Sequence, residues 1–365
     1  MNTPIIDRTA LPLDAFAATS LEQAITLPAS LYVSDAAHQL DKAAIFLRSW
    51  QCVGHQSMLP NNGDVLVTEV ADKPIIVVRN HQGELTAFYN VCKHRAGPLV
   101  LESGNVKVLS CRYHGWSYQL DGQLRTAPEM ADTPNFNPCE VHLDKVALAS
   151  WQGYLFINLA AEPQPIDELF AGIQSRIAPI DLEQMQFHHR DEYTVACNWK
   201  VYMDNYLEGY HLPHVHPGLN KLLDYKSYTT ELAKWYSYQY SPLESQQSFY
   251  GEGAAHYFCV YPNLMLNILP GRCQINIIVP LSATTCKVIF DYYYSDLNAP
   301  EVQAMIKQDL SFSDEVQDED ISICEHVQKG LASGVYDQGR LCVRREQGVW
   351  HYQELLRRGY RTFLL

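Results

Sequence analysis

The chain has 365 residues, 47% of them apolar, and a formal net charge of −14. Such a length supports one large domain or, more readily, two, and the apolar content excludes global disorder. The acidic balance argues against nucleic acid or an anionic membrane as partner, since phosphate would be repelled. No run approaches the roughly 20 apolar residues that span a bilayer. Met1 to Ala10 lacks the basic-then-apolar pattern of a secretory signal, so the expected compartment is the cytosol.

Residues 1–33 show little periodicity and read as an extended arm. Residues 34–50 open with a capping Ser34 or Asp35 and read as an amphipathic helix. From about 53 to 158 the texture becomes short β-rich runs (VLVTEV, PIIVVRN, ELTAFYN, WQGYLFINLA). Turn residues separate them at Asn61-Asn62-Gly63, Gln82-Gly83 and Asp121-Gly122-Gln123, which predicts a small all-β domain. The proline-containing segment 161–170 marks the passage to a second domain. There, residues 199–211 read as a helix, strand-like runs follow at 256–269, 273–280 and 286–294, and a long helix runs from about 299 to 332. Strands in sequence without alternating helices predict an antiparallel sheet packed on helices, an α+β arrangement. The expected division is 1–44 for the arm and helix, 45–160 for the β domain and 161–365 for the second domain.

The ten cysteines form no regular disulfide framework, and a chain of this length in a reducing compartment does not need one. Two of them stand out. In VCKHRAGPLV and LSCRYHGWSY, Cys92-x-His94 is followed by Cys111-x-x-His114, two mixed pairs on separate loops. Thiolate with neutral imidazole suits either zinc or a mixed-ligand iron–sulfur cluster. Zinc ribbons favour CxxC pairs, whereas here each pair is mixed and the spacings differ. Gly97-Pro98 and Gly115 would let backbone approach a cluster and donate N–H groups to its sulfides.

A second constellation lies in NWKVYMDNYLEGYHLPHVHPG. His211 and His216 are five residues apart, awkward on a continuous helix but sensible if the helix stops near Pro213 and the chain turns back. His214 competes as a ligand, and metal-free histidines are the plain alternative. Asp204, Glu208 and His211 fall at i, i+4 and i+7, so a carboxylate could accept the second N–H of a ligating histidine. A mononuclear iron site with two histidines needs one carboxylate from elsewhere. On the late helix, Val316, Ile323, Val327 and Leu331 form an apolar stripe that contains Asp320. Asp318 and Glu319 fit a solvated face, so Asp320 is the candidate, because an acid on a buried face must be paired or ligate a metal.

CKHRAG and CRYHGW resemble the ligand loops of Rieske domains in ring-hydroxylating and related oxygenases. NWK with DNYLEGYH and a second histidine is similar to the iron-binding helix of their α subunits. QDEDISICEHVQKGL resembles the helix that carries the carboxylate ligand, and FCVYPNLMLNIL a strand of the catalytic domain. The likeness runs from about residue 40 to the C-terminus. It implies a β Rieske domain followed by a helix-grip catalytic domain. It implies that Cys92 and Cys111 bind one iron of a [2Fe–2S] cluster and His94 and His114 the other. It also implies that His211, His216 and Asp320 hold a mononuclear Fe(II), with Glu208 as the acidic bridge towards the cluster of a neighbouring subunit in a ring, usually a trimer. Many members carry Asp at that bridge; Glu matches the subgroup that oxidises quaternary ammonium compounds.

No nucleotide-binding fingerprint such as GxGxxG occurs, so a separate NAD(P)H-dependent flavin or iron–sulfur reductase is the expected electron source. The 23 tyrosines are dense in the catalytic half (Tyr202, Tyr206, Tyr210, Tyr236, Tyr238, Tyr240, beside Trp235). Such rings can cage a quaternary ammonium group, although for any one of them taken alone ordinary core and sheet packing is the stronger explanation. The expectation is hydroxylation or oxidative demethylation of a choline-, carnitine- or betaine-like compound. An aromatic acid is the alternative substrate. A Rieske electron carrier is the alternative of another class, but it would leave about 200 residues and the second constellation unexplained.

Overall fold

A computed structural model describes residues 6–243 and 248–364. The chain divides into two compact units: Phe46–Ile166, and the residues up to Ile45 together with those from Asp167 onward.

The first unit is all β. Ten strands run β1 (Gln51–His55), β2 (Asp64–Val70), β3 (Lys73–Arg79), β4 (Leu85–Tyr89), β5 (Gly104–Asn105), β6 (Leu109–Ser110), β7 (Ser117–Tyr118), β8 (Leu124–Thr126), β9 (Lys145–Trp151) and β10 (Tyr154–Asn158). Seven form one antiparallel sheet in the order β1-β10-β9-β4-β3-β2-β5, and β6-β7-β8 form a second. Strand period decides which core each residue enters. Ile75 and Val77 of β3 pack with Leu66, Leu155 and Ile157, whereas Ile76 and Val78 pack with Phe88, Leu109, Trp116 and Tyr118. The second core also contains Cys92 and Cys111, so the two cysteine loops stand on packed apolar side chains.

The second unit is built on β11 (Gln186–Val195), β12 (Thr229–Leu232), β13 (Tyr236–Pro242), β14 (Ala254–Val260), β15 (Leu264–Leu269), β16 (Arg272–Ser282) and β17 (Thr285–Tyr294), in the order β11-β17-β16-β15-β14-β13-β12. All neighbours are antiparallel. The stretch 256–269, expected as one strand-like run, is two strands joined by the turn around Tyr261–Asn263. The helix Pro300–Ala332 meets β16 and β17 through an unusually polar seam. Arg272 pairs with Asp309 at 3.0 Å, Gln274 Nε2 donates to Ser313 Oγ at 3.2 Å, and Tyr292 and Tyr294 reach Ser313 and Asp309.

Segment 34–50 also departs from a plain helix. Ser34 caps Asp35–Leu40 by accepting from Ala37 N, and the chain then widens into a π turn at Asp41–Ile45. The wider turn aims Asp41 inward, where Lys200 Nζ, Trp199 Nε1 (2.8 Å) and Tyr360 OH (2.5 Å) all donate to it. Lys200 is fully buried, so it needs that carboxylate; removing one partner of such a pair costs about 3–5 kcal/mol. The motif NWK thereby fixes the start of the Trp199–Tyr206 helix, which Asn198 caps by accepting from Lys200 N.

Candidate functional site

The two cysteine loops repeat one backbone pattern despite their unequal spacing. Ala96 N donates to Cys92 O and Gly115 N to Cys111 O, each at 3.0 Å; Cys92 N donates to Gly97 O and Cys111 N to Trp116 O, each at 2.8 Å. The fifth residue of each loop sits at positive φ, 59° at Ala96 and 74° at Gly115. An alanine there is strained. At Gly97, an added Cβ would lie 2.8 Å from Cys111 Sγ, so glycine lets the first loop close on the second.

The side chains converge. The rings of His94 and His114 lie 4.5 Å apart between centroids, and Trp116 stacks on His94 at 4.8 Å. His94 Nδ1 is buried and has no hydrogen-bond partner among the described residues, an orphan that a metal bond would satisfy. Burial and the neighbouring His94 lower the His114 pKa, which favours the neutral, ligating imidazole. Tyr118 OH lies 3.3 Å from Cys92 Sγ while accepting from Lys93 N, leaving its own hydrogen for the sulfur. No disulfide occurs among the described cysteines. Two thiolates and two imidazoles are the donor set of a mixed-ligand cluster with two irons, two cysteines on one and two histidines on the other.

The second site departs from expectation in its backbone. The helix ends at Tyr206, not near Pro213, and Pro213 instead lies in the first turn of a new short helix, Leu212–Val215. Glu208 therefore reaches His211 by a tight turn and not along a helix face. Its carboxylate accepts from the backbone N–H groups of Tyr210 and His211 and lies 2.7 Å from His211 Nδ1. His211, His216 and Asp320 come together, one donor atom of each lying within 4.8 Å of the others. His216 Nε2 is 3.1 Å from Asp320 Oδ1, which also accepts from Asn205 Nδ2 at 2.6 Å. His214 is exposed and stands outside this group.

Two features were not expected. Glu319, read as a solvated acid, lies 2.7 Å from His216 Nδ1. The stripe expected through Val327 is not the buried face either: Val327 is 44% exposed, and the buried line runs Ile306, Asp309, Ser313, Gln317, Cys324, Gln328 and Leu331. Asp320 lies between Gln317 and Cys324 on that line. Polar side chains hid it from a search for apolar periodicity. Asp204 does not join the triad; it accepts from Tyr32 OH at 2.7 Å and Gln353 Nε2 at 3.1 Å. Burial pushes its carboxyl up to about 6 against those hydrogen bonds.

Each histidine of the triad has Nδ1 beside a carboxylate, which leaves Nε2 for a metal. Burial would lower the His216 pKa, but Asp320 and Glu319 together raise it: the site concentrates negative charge where a dication would sit. Two histidines and one carboxylate with open positions suit a non-haem Fe(II) centre. Beside the triad lies a cavity of about 130 Å³, walled by Tyr206, Tyr228, Tyr257, Leu223, Phe290 and Phe312 among others. That is near the ~150 Å³ of an engineered cavity that holds benzene. A separate cleft of about 510 Å³ is lined by Tyr32, Asp204, Val327 and Tyr336, and Glu208 and His211 line both spaces.

Residues 49–137 match the Rieske [2Fe-2S] domain, and residues 182–362 match the ring hydroxylating alpha subunit (catalytic domain). A chloroplastic choline monooxygenase of Arabidopsis thaliana is 35% identical over 92% of this chain and 83% of its own length. The chain belongs to the Rieske oxygenases. The carnitine monooxygenase oxygenase subunit of Escherichia coli (strain K12) is 31% identical, over 92% of this chain and 94% of its own. The quaternary ammonium Rieske monooxygenase CntA superposes with a TM-score of 0.86 at 27% identity, covering 96% of this chain and 99% of that one. Naphthalene 1,2-dioxygenase shares the fold at 17% identity and a TM-score of 0.75. As a Rieske oxygenase the protein is an oxidoreductase that uses a [2Fe–2S] cluster and a mononuclear iron. No described helix is long and apolar enough to cross a membrane.

Proposed function

We propose that this Rieske oxygenase hydroxylates or oxidatively demethylates a small quaternary ammonium compound. The observation that carries the reading is the cavity beside His211, His216 and Asp320, small and walled by aromatic rings. A cation over such faces gains up to about 2 kcal/mol when desolvated. Choline and carnitine monooxygenases as relatives support it.

Cys92, Cys111, His94 and His114 would hold the cluster and His211, His216 and Asp320 the iron; together these groups supply electron storage and oxygen activation. The chain's own residues do the rest. Glu208 and Glu319 keep the two imidazoles in the tautomer with Nε2 free, and Asn205 holds Asp320 in one orientation. The tyrosine walls exclude water and fix the substrate's C–H bond towards the triad. One substrate C–H, one O₂, two electrons and two protons give a C–OH and one water.

Glu208 lies between the cavity and the outward cleft, where the exposed side chains of Val327 and Tyr336 offer apolar surface. This supports a ring assembly, a trimer in the simplest form, in which a second copy's cluster domain approaches Glu208. CntA has been described in terms of inter-subunit electron transfer. A separate NAD(P)H-dependent reductase and a cytosolic location complete the proposal.

Oxygen uptake coupled to product formation tests it, with a surrogate reductase and a panel of choline, carnitine, γ-butyrobetaine, glycine betaine and simple aromatic acids. The proposal expects turnover with at least one ammonium compound. Turnover with the aromatic acids alone contradicts it.

A further inference from the structure

Between β16 and the helix Pro300–Ala332 the polar seam is a ladder. Alternate strand residues face the sheet's inner side at every second position, and helix residues return after about four. Arg272 with Asp309 makes the first rung and Gln274 with Ser313 the second. The next positions in both series are Asn276 and Gln317, and here no bond between the side chains closes the rung. Asn276 Oδ1 and Gln317 Nε2 are both buried without a partner among the described residues. Asn276 is 5% and Gln317 1% exposed, and both line the cavity. Gln317 Oε1 already accepts from Tyr202 OH, and Asp320 follows Gln317 by one helical turn.

The one acceptor and one donor left over are matched by a single group that both donates and accepts, as an ordered water would or a substrate group that displaces it. A hydroxyl does both: its O–H donates to Asn276 Oδ1 and its oxygen accepts from Gln317 Nε2. With Asn276 Nδ2 turned to Met265 Sδ at 4.0 Å, a carboxylate does not, because it only accepts and would face Asn276 Oδ1 without a hydrogen between them. Nor is a cation free to meet it. Arg272 is the only lysine or arginine among the described lining residues, and it is committed to Asp309 and to Gln274 Oε1 at 2.7 Å. Burial alone would lower its pKa, but Asp309 more than reverses this, so the guanidinium keeps its charge and is held by Asp309.

We propose that Asn276 and Gln317 form a hydroxyl-binding subsite that selects a quaternary ammonium alcohol of the choline type over carboxylate-bearing betaines. This rests on the function proposed above and narrows it. The aromatic walls hold the trimethylammonium head, while the open rung holds the alcohol next to the iron-binding face of the helix.

Titration calorimetry on the anaerobic holoenzyme tests it, with choline, tetramethylammonium, glycine betaine and γ-butyrobetaine as probes. Choline is expected to bind at least tenfold more tightly than each of the other three. Asn276→Leu should lower the choline-to-tetramethylammonium affinity ratio at least fivefold, and Asn276→Asp, which keeps an acceptor, should lower it less. A purely structural role would weaken both ligands together and leave that ratio where it was, which overturns the subsite. Equal or tighter binding of either carboxylate also overturns it while leaving the ammonium reading intact. If none of the four binds, both proposals fall.

Discussion

The two candidate metal sites use histidine in opposite ways. In the cluster unit, His94 leaves its buried Nδ1 without a partner among the described residues, and its ring is held by stacking on Trp116. In the catalytic unit, His211 and His216 each set Nδ1 against a carboxylate, Glu208 and Glu319. The first arrangement presents Nδ1 to the metal, the second Nε2. The scaffolds differ to match. The cluster loops are local hydrogen-bonded turns on a packed β core, each complete within a few residues. The catalytic site joins a broken helix to a carboxylate more than 100 residues later, and needs second-layer acids to hold rings that the backbone alone does not fix.

Four perturbations break or sharpen this contrast, from the largest effect down. Asp320→Ala should abolish product formation while the visible spectrum of the cluster persists; retained turnover would remove Asp320 from the iron site.

Asp204 comes next, because a buried acid with a raised pKa couples stability to pH. Its ordinary value is 3.8 and its value in the fold about 6, so its protonated form is the one the fold favours. That contribution is complete below the unfolded value and is lost as pH rises through about 6, up to roughly 3 kcal/mol. Asp204→Asn should therefore flatten the fall in melting temperature between pH 4 and pH 7. A parallel fall in the variant would show that Asp204 titrates normally.

Glu319→Ala should weaken iron retention by about 10–100-fold, as loss of an outer carboxylate typically does, and leave cluster content intact. Equal iron content after dialysis in wild type and variant would contradict a role for Glu319. The smallest effect belongs to the cluster side. Tyr118→Phe removes a hydroxyl 3.3 Å from Cys92 Sγ. Losing about 1 kcal/mol of preference for the more negative reduced state should lower the potential by ~40 mV for one electron. Voltammetry checks it, and an unchanged midpoint would show that the hydroxyl does not donate to the sulfur.

What could be read from the chain follows the same contrast. The Rieske loops were legible because CKHRAG and CRYHGW each hold their ligands and glycine within six residues. The helix expected at 299–332 and found at Pro300–Ala332 was legible from length and periodicity. The break at Tyr206 was not, because Pro213 is the obvious stop and Glu208 forms its turn through backbone N–H groups that no side-chain pattern reveals. Glu319 was misread because it is half-buried beside a histidine about 100 positions away. The seam of Asp309, Ser313 and Gln317 stayed hidden for a related reason: polar side chains on a helix imply solvent until the facing strand supplies Arg272, Gln274 and Asn276.

Iron and acid-labile sulfide, counted per chain in wild type and in Asp320→Ala, test the central claim most directly. The account predicts about three irons and two sulfides in the wild type, and about two irons with the same sulfide in the variant. Zinc in place of iron and sulfide, or an iron count of about two in both proteins, would contradict it.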